Sequence, residues 1–360
     1  MKLREDIQWD LSQKIMDENS RVIADIACRT GKIKITLDTI LSSEKVLVVY
    51  PDVSIKQSWK NDLIKWKVRD KKRFKFSTYL SFKKIRDMYD VLVLDECQSI
   101  SEAQLSAISL YMKHTGIKKV IGLSGSLNDE TKQQLKNYLG LETKVKYSIQ
   151  QAIDDGITSD YNIEVRIVPL SIVNNIKIVW KGGEFFTSEK ANFDYITRQI
   201  DNSSGNVQKM ARFKRMRAIM NSISKIEATK QVIKEKSNER LMCFCGLTDV
   251  ADSLGIDVYH SKNSNEQVKQ DFINGSIDKL AVVRQLNAGV TFPKLNTAVI
   301  NYFDSNAENQ CQRISRITNM DYVGKIANII IISSNEEVEL RWLRKSLEFF
   351  DKSKITYKYL

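Results

Sequence analysis

Short apolar runs alternate with amphipathic stretches along much of this chain, and the alternation predicts repeated strand–helix units. Apolar residues at positions 7, 11 and 15 predict a helix over residues 5–19, and the apolar run 22–27 predicts the strand that follows. A helical pattern covers residues 33–41. The near-continuous apolar run 45–50 is typical of a strand buried on both faces of a parallel sheet. The first part of the chain is therefore predicted to be an α/β domain.

The same rhythm continues through residue 146 and then weakens. Strands are predicted at 74–79, 89–96 and 119–126, with helices at 54–66, at 80–88 and from about Asn128. Between residues 147 and 238 the pattern predicts a strand at 163–170, a hairpin at 176–186 around Lys181-Gly-Gly, and a long helical region at 209–236. This middle part is expected to connect two domains.

A second strand–helix series follows residue 239. Strands are predicted at 240–245, 257–260, 279–283, 298–302 and 327–332, and helices at 249–254, 265–273, 307–318 and 336–353. Alternation of this kind predicts a second parallel α/β domain. We therefore divide the chain into a first lobe at 1–146, an interlobe segment at 147–238 and a second lobe at 239–360.

Composition is consistent with that division. The chain has 360 residues, of which 42% are hydrophobic and 28% charged, and domains of roughly 150 residues give two to three of them. No apolar run approaches the roughly 20 residues that span a bilayer, and the first residues lack the apolar core of a signal peptide. We expect a monomer in the cytoplasm, or in the host cytoplasm if a phage encodes it.

Charge points to a polyanionic partner. The net charge is +12 and the pI about 9.2, which favours nucleic acid over membrane because no basic amphipathic anchor stands out. Cations crowd the start of the 209–236 region, and Arg212 and Arg215 are candidate nucleic-acid contacts there. Such a run is also what a solvated helix face looks like. Five scattered cysteines and two histidines do not form a metal-site pattern, and we expect reduced, packed thiols.

One turn carries a possible phosphate site. The apolar run 22–27 leads into Gly31-Lys32, and a helix follows. A strand that enters a helix through glycine directs backbone N–H groups and the positive end of the helix dipole at one point. Lys32 would add a point charge for phosphate oxygens. The alternative is an ordinary strand–helix turn with a surface lysine.

A second apolar run ends in adjacent carboxylates, Asp95 and Glu96. If the run is a strand, both lie at the carboxyl edge of the sheet, where open α/β sheets bind ligands. A nucleotide-bound magnesium ion needs an oxygen ligand there, and hydrolysis needs a base. The alternative is an acidic helix start. With Gly31-Lys32 in the same domain, the nucleotide interpretation is favoured.

Ser124 and Ser126 end another strand, where they could contact phosphate or water or cap the next helix.

Several segments of the first half resemble, in order, the motifs of superfamily 2 helicases. Leu3-Arg-Glu-Asp-Ile-Gln8 resembles the element before motif I, and Ala27-Cys-Arg-Thr-Gly-Lys32 resembles motif I. The remaining matches are Val46-Leu-Val-Val-Tyr-Pro51 with Gln57-Ser-Trp59 to motif Ia, Ser77-Thr-Tyr79 to the following DNA-contact motif, Leu94-Asp-Glu-Cys-Gln98 to DEAH or DExQ, and Leu123-Ser-Gly-Ser126 to motif III.

The second half continues the series. Leu241-Met-Cys-Phe-Cys245 resembles motif IV, Gln285-Leu-Asn-Ala-Gly-Val-Thr-Phe-Pro293 resembles motif V, and Gln312-Arg-Ile-Ser-Arg316 resembles motif VI. The motifs keep the family's order across most of the chain. The chain is thereby similar to DEAD/DEAH-like superfamily 2 DNA helicases of the phage or bacterial recombination and repair type.

The resemblance implies two RecA-like parallel-sheet lobes in tandem, with a mixed β-hairpin and helical segment between them and ATP in the cleft. It implies that Lys32 holds the β- and γ-phosphates, that Asp95 orders Mg²⁺ through water, and that Glu96 activates the attacking water. The other residues it implicates fall into three groups. They are Gln8, Arg29, Thr30, Gly31 and Gly289 for the nucleotide; Gln312, Arg313 and Arg316 for catalysis, the arginines as charge-stabilising fingers; and Ser77, Thr78 and Tyr79 for the nucleic acid.

The function implied is an ATP-dependent helicase or translocase acting on single-stranded or branched DNA, with RNA as an alternative partner. Three positions depart from the family pattern. Ile33 replaces the hydroxyl residue after the lysine, Thr291 replaces the motif V aspartate, and Asn319 replaces the last motif VI arginine. These departures leave open a nucleic-acid binder that hydrolyses ATP slowly or not at all. An unrelated P-loop enzyme such as a nucleotide kinase is the remaining alternative.

Overall fold

The computed structural model describes residues 3–18, 20–42, 44–125, 127–180, 183–283, 292–302, 314, 317–320, 322 and 324–360. The chain forms two compact units, the first ending at Ser159 and the second beginning at Asp160. Each unit contains its own parallel sheet with helices packed against it. The predicted fold class, two RecA-like parallel-sheet lobes in tandem, is confirmed.

The first unit, lobe 1, has a six-stranded parallel sheet. Its strands are β1 Arg21–Ile26, β2 Val46–Tyr50, β3 Phe74–Thr78, β4 Val91–Asp95, β5 Lys119–Ser124 and β6 Glu142–Tyr147. They lie in the order β3-β2-β4-β5-β1-β6. Its helices are α1 Arg4–Asp17, α2 Lys32–Thr39, α3 Val53–Lys65, α4 Glu102–Thr115, α5 Asp129–Leu139 and α6 Ile149–Asp154.

Lobe 1 has one apolar core on each face of its sheet. Alternate residues of β2 supply the two cores: Val48 packs with Trp59 and the α1–α3 side, and Leu47 packs with Leu105 and the α4–α5 side. Every residue of β2 and β4 is buried, because helices cover both faces of these central strands. This double burial is why the sequence shows continuous apolar runs there instead of alternation.

The second unit, lobe 2, has a seven-stranded parallel sheet and a separate hairpin. The sheet strands are β7 Asp160–Val168, β10 Leu241–Cys245, β11 Asp257–Tyr259, β12 Lys279–Val283, β13 Thr297–Ile300, β14 Ile326–Ser334 and β15 Ile355–Tyr359. They lie in the order β11-β12-β10-β13-β14-β7-β15. The antiparallel hairpin is formed by β8 Ile176–Trp180 and β9 Gly183–Thr187. The helices are α7 Glu189–Asp201, α8 Gly205–Met220, α9 Ile223–Glu235, α10 Thr248–Asp252, α11 Glu266–Asn274 and α12 Glu337–Leu347.

The units divide differently from the sequence-based boundaries at 147 and 239. Strand β7 lies between β14 and β15 and pairs with both along its length, so a strand that the sequence placed in the interlobe segment belongs to the second sheet. Helices α7, α8 and α9 follow β7 and also lie in lobe 2. The reason is non-local pairing: β7 hydrogen-bonds to strands more than 150 residues later, which no local pattern reveals.

One local prediction was wrong, and one predicted helical region consists of two helices. The helical pattern at 80–88 forms only a short 3₁₀ turn, Phe82–Lys84, because just Phe82 of its apolar residues is buried while Leu80 and Met88 are exposed. The region 209–236 is two helices, since the Ser222 hydroxyl accepts the Lys225 N–H and begins a second helix, α9.

Over the part of the chain that is described, none of the helices combines the length and apolar character needed to cross a bilayer.

Candidate functional site

Two left-handed residues and contacts from helix α1 fix the turn between β1 and α2. Gly31 has a φ of 95° and Arg29 a φ of 71°, left-handed conformations that turn the chain sharply before the helix. The Gln8 side chain of α1 lies against Gly31, so closely that a Cβ there would collide with its amide nitrogen. The same amide donates to the Thr30 carbonyl at 2.7 Å. Helix α1 thus fixes the turn that presents the start of α2.

Lys32 is the first residue of α2, and its side chain crosses the carboxyl edge of the sheet. Its Nζ lies 3.4 Å from Glu96 Oε1, and both side chains are largely buried. Burial alone lowers the pKa of this ammonium, but the charges of Glu96 and Asp95 outweigh it, so the pKa of Lys32 is raised. The lysine therefore stays charged although its side chain is largely buried.

Gly125 makes the crossing possible. Strand β5 lies between β4 and β1, so the path from Lys32 to Glu96 passes over its end. A Cβ at Gly125 would lie 2.9 Å from Cys28 Sγ and 3.3 Å from Lys32 Nζ. Both distances are tighter than ordinary packing, so any side chain at this position would force Cys28 or Lys32 to shift.

Two side chains from neighbouring elements hold Asp95. Trp59 of α3 donates its indole N–H to Asp95 Oδ2 at 2.8 Å, and the Tyr79 hydroxyl donates to the Asp95 carbonyl at 2.8 Å. All three residues are buried. Burial and the adjacent Glu96 raise the pKa of Asp95 to about 6, with Lys32 and the Trp59 hydrogen bond opposing that rise. The carboxylate is charged at neutral pH, but its burial makes the charged form unfavourable, as is common for functional carboxylates.

Glu96 has an unusual backbone and two partners for its carboxylate. Its φ is 51°, and it is one of four described non-glycine residues with positive φ, of which Arg29 of the same site is another. Gln98 donates its amide to Glu96 Oε2 at 2.6 Å, while Lys32 faces Oε1. Strain of this kind concentrates at functional sites when the surroundings fix it. Here the residue with this backbone carries the carboxylate that pairs with Lys32.

Among the described residues, the two threonines that flank Ile33, Thr30 and Thr36, direct their hydroxyls to backbone carbonyls. Ile33 packs against the lobe 1 core. The Thr30 hydroxyl donates to the Ala27 carbonyl at 2.9 Å, and that of Thr36 donates to the Lys32 carbonyl at 2.8 Å. Both threonines are fully buried. Neither is placed as a metal ligand.

The donor set fits a nucleotide-bound cation better than a protein-held one. The described residues contain no group of three or more His, Cys, Asp or Glu able to hold a metal. Asp95 and Glu96 provide carboxylate oxygens at the sheet edge, and Mg²⁺ commonly binds through one or two carboxylates, with waters and phosphate oxygens completing its shell. The site is therefore compatible with Mg²⁺ that arrives with a phosphate ligand.

The predicted nucleic-acid residues differ in accessibility. Ser77 and Tyr79 are buried, and Tyr79 points its hydroxyl into the lobe, so it supports Asp95 and is not placed to stack on a base. Thr78 is half-buried and its hydroxyl accepts the Ser81 N–H at 3.2 Å. In lobe 2, Arg212 is exposed and hydrogen-bonds Gln208 at 3.1 Å. Arg215 is half-buried with its guanidinium over Phe193.

Four predicted site residues, Gly289, Gln312, Arg313 and Arg316, lie outside the described residues, as does Thr291. The structure adds supporting residues that the sequence interpretation did not assign: Trp59, Gln98 and Gly125. All three lie inside the segments that resemble helicase motifs, so the sequence did point to these positions. Their roles could not be predicted because each depends on contacts between separate strands and helices.

Comparison with known proteins identifies the fold through structure alone. No protein-family model matches the sequence, and no curated protein matches it either. S. cerevisiae Dbp5 bound to RNA and ADP BeF3 is similar with a TM-score of 0.59 at 11% identity, over 96% of this chain and 89% of that one. Mss116p bound to ssRNA and AMP-PNP matches with a TM-score of 0.59 at 15% identity, over 97% and 74%.

A third similar structure is the Pyrococcus furiosus Hef helicase domain, with a TM-score of 0.52 at 13% identity, over 97% of this chain and all of that one. These neighbours are superfamily 2 helicases. At such identities the likeness concerns the fold. The fold of this chain is accordingly two RecA-like parallel-sheet α/β lobes in tandem, as in these helicase structures.

Proposed function

We propose that this protein is an ATP-driven helicase or translocase that binds ATP at the carboxyl edge of the lobe 1 sheet. The observation that carries the proposal is the largely buried Lys32–Glu96 pair at 3.4 Å beside buried Asp95. A largely buried cation at the start of α2, next to the two carboxylates at the end of β4, would provide both a phosphate site and a base. The structures of Dbp5 and Mss116p, which hold nucleotide and RNA, have the same fold.

The proposed roles rest on these contacts and on the sequence resemblance. Lys32 and the backbone N–H groups after Gly31 would bind the β- and γ-phosphates, with Gln8, Arg29 and Thr30 shaping the turn; a contact of Gln8 with adenine is proposed from the resemblance alone. Phosphate oxygens would compete with Glu96 for Lys32, which would free the carboxylate to take a proton from water. Asp95 would hold Mg²⁺, and the ion would neutralise phosphate charge.

Lobe 2 contributes on the basis of the sequence resemblance. Gly289 is proposed for the nucleotide, and Gln312, Arg313 and Arg316 are proposed for catalysis. An arginine that stabilises transferred phosphoryl charge is worth roughly 10³ or more in turnover. We propose DNA, single-stranded or branched, as the partner, bound in part by Thr78 and Arg212, with RNA as the alternative, and a monomer as the acting unit.

Hydrolysis assays test the proposal. Purified protein is assayed for phosphate release alone and with single-stranded DNA, forked DNA or single-stranded RNA. We expect nucleic acid to stimulate turnover, Lys32→Ala to abolish it, and Glu96→Gln to lower it roughly 100-fold or more because the base is lost. Lys34→Ala is the matched control, since Lys34 lies in the same helix but pairs with Asp38. Wild-type turnover no greater than that of Lys32→Ala, with every nucleic acid, contradicts the proposal.

A second function, nucleic-acid binding without turnover, is favoured by one observation. Ile33 occupies the usual hydroxyl position, and the hydroxyls of Thr30 and Thr36 donate to backbone carbonyls. If the missing ligand limits hydrolysis, Ile33→Thr should raise turnover while Ile33→Val should not. Equal rates for the two variants and the wild type, all well above Lys32→Ala, would remove this alternative.

A further inference from the structure

The helical hairpin α7–α8 of lobe 2 contains an open groove of about 880 Å³. It is lined by Tyr195 and Arg198 of α7, Asn202 of the connecting turn, and Val207, Met210 and Lys214 of α8. We propose that this hairpin groove binds single-stranded nucleic acid. The proposal takes the identity of the partner from the proposed function, but it does not depend on ATP hydrolysis.

The charge of α8 favours a polyanion. The helix carries five basic residues and no acidic residue: Lys209, Arg212, Lys214, Arg215 and Arg217. Among the residues that the structure describes, none of these five forms an ion pair, although many other lysines of the chain do. Unpaired cations along one helix attract phosphates and release their counterions. The groove has a cation on each wall, Lys214 of α8 and Arg198 of α7.

The groove also offers surfaces on which bases can stack. Tyr195 is 49% exposed, Met210 59% and Val207 68%, so apolar area stays in water beside the cations. Base stacking on an aromatic ring is tolerant of sequence and stabilises bound single strands. The amides of Gln199, Asn202 and Asn206 line the same groove and can donate and accept hydrogen bonds at base edges.

The groove is preformed. Phe193 of α7 and Ile219 of α8 belong to one buried apolar cluster, and Ile196, Ile200 and Ala211 are also buried. Gln208 donates its amide to the Ile200 carbonyl at 3.1 Å and to the Ser203 carbonyl at 3.0 Å, which fixes the connecting turn. A binding surface that is already ordered loses little entropy on binding.

The hairpin is also anchored to the rest of lobe 2 through Glu189. This buried carboxylate accepts hydrogen bonds from the Ser171 N–H at 2.8 Å and the Ser224 hydroxyl at 2.6 Å, and from the N–H groups that begin α9. Lys190 adds an ion pair with Glu336 at 3.0 Å. A strand held in the groove would therefore move with lobe 2 as a body.

Other occupants fit the groove less well. A helix that lies on a membrane separates an apolar face from a basic one, whereas the apolar Val207, Met210 and Phe213 of α8 are interleaved with Lys209, Arg212 and Lys214. The groove amides would have no partners among lipid tails. A second copy of this chain would bring the same cationic helix, and like charges repel.

Fluorescence anisotropy with a labelled oligothymidine of about 20 nucleotides, without ATP, tests the groove. Tyr195→Ala should weaken binding roughly 5- to 150-fold through lost stacking, and Tyr195→Phe should retain most of the affinity. Arg198→Gln with Lys214→Gln should reduce the slope of log affinity against log salt by roughly 1.4, for two phosphate contacts on a single strand. Because these side chains are exposed, folding should be unaffected, which circular dichroism checks.

The matched control is Lys345→Gln with Lys352→Gln, which removes equal charge from exposed sites of the same lobe. It should leave affinity and salt slope near wild type. Affinity and slope unchanged in the groove variants overturn the proposal. It is likewise overturned if those variants lose binding to phosphatidylserine–phosphatidylcholine vesicles but not to the oligonucleotide. If the wild type fails to hydrolyse ATP but still binds the oligonucleotide through the groove, the groove proposal is supported and only the proposed ATP-driven function is contradicted.

Discussion

Two cationic regions of this molecule, the Lys32 site of lobe 1 and the α7–α8 hairpin of lobe 2, are built in opposite ways. Lys32 is largely buried and paired with Glu96, and the residues around it are held by hydrogen bonds from α1, from α3 and from Tyr79, which follows β3. The α8 cations are mostly exposed, and within the described residues they form no ion pairs. One region fixes a few atoms in place, and the other presents charge to the solvent.

The difference shows what each region can do. A buried pair is little screened by salt and can direct a proton or a phosphate oxygen to a single point, as chemistry requires. Exposed cations are screened and adaptable, which suits binding to a flexible polyanion. Substitutions in lobe 1 should therefore change turnover and stability with little salt dependence, and those in α8 should change affinity in a salt-dependent way.

The largest effect is expected from Asp95→Asn. Turnover should fall on the order of 100-fold or more because the proposed magnesium ligand is lost. The folded protein should nevertheless become more stable above pH 7, by about 1–3 kcal/mol, because the pKa of Asp95 is raised from 3.8 to about 6 and the buried charge is costly.

The sign of that pH dependence follows from the direction of the shift. Between pH about 4 and about 6 the folded state binds the Asp95 proton and the unfolded state does not, so wild-type stability falls as pH rises through this window. The gain of Asp95→Asn should thus shrink as pH falls toward about 4. Thermal unfolding across pH measures it, with Asp90→Asn, an exposed carboxyl just before β4, as the control. A gain that is the same at every pH contradicts the account.

Trp59→Phe should come next. It keeps an aromatic ring but removes the N–H that holds Asp95, a hydrogen bond to a charged group worth about 1.5–3 kcal/mol. Groups that orient a metal ligand typically change activity by about 10- to 100-fold, so turnover should fall in that range, with nucleic-acid affinity unchanged. Trp66→Phe is the control, because Trp66 contacts Lys34 and Lys65 at the edge of the lobe. Equal turnover in the two variants would show that the Trp59 hydrogen bond to Asp95 does not contribute to turnover.

Gly125→Ala tests the crossing of Lys32 over β5. The added methyl would press on Cys28 and on the Lys32 ammonium, and overpacking of this size costs about 1–3 kcal/mol. We expect weaker ATP binding, measured by titration of a fluorescent ATP analogue. Gly183→Ala should be neutral, since its Cβ would meet nothing within 4 Å. Unchanged ATP affinity in Gly125→Ala would mean that Lys32 does not act from this position.

The smallest effect separates two arginines of α8. Arg212 is exposed, whereas Arg215 is half-buried over Phe193 and hydrogen-bonds Thr197 at 3.5 Å. Arg215→Gln should lower the free energy of unfolding by about 0.5–1 kcal/mol, and Arg212→Gln should leave it within about 0.5 kcal/mol. Urea denaturation checks both. The reverse order of stabilities would contradict the packing described for the hairpin.

The sequence predicted the central strands, and the two adjacent residue pairs that it proposed for the lobe 1 site lie at strand ends. Strands β2 and β4 are buried on both faces, so their apolar runs are long and unmistakable. Gly31-Lys32 and Asp95–Glu96 are adjacent pairs at strand ends, and parallel strands bring their carboxyl ends to one edge. The 3.4 Å approach of Lys32 to Glu96 joins residues that the sequence had already assigned to one nucleotide.

What the sequence did not reveal depends on distant contacts or on edges. Strand β15 was missed because most of its residues are exposed, which leaves no buried pattern. Helix α7 was missed although Phe193, Ile196 and Ile200 are spaced for one buried face. The inward orientation of Tyr79 and the bond from Trp59 to Asp95 also required coordinates, because aromatic residues near a strand end can equally pack or stack on bases.

The central claim, that Lys32 and the two carboxylates form a nucleotide site, is tested most directly by ATP binding to a protein that cannot hydrolyse it. Calorimetric titration of Mg-ATP into Glu96→Gln should show one site per chain. The Glu96→Gln, Lys32→Ala double variant should bind at least roughly tenfold more weakly, because a charge-assisted phosphate contact is removed. Equal affinity of the two proteins, or no binding by Glu96→Gln, would contradict the account.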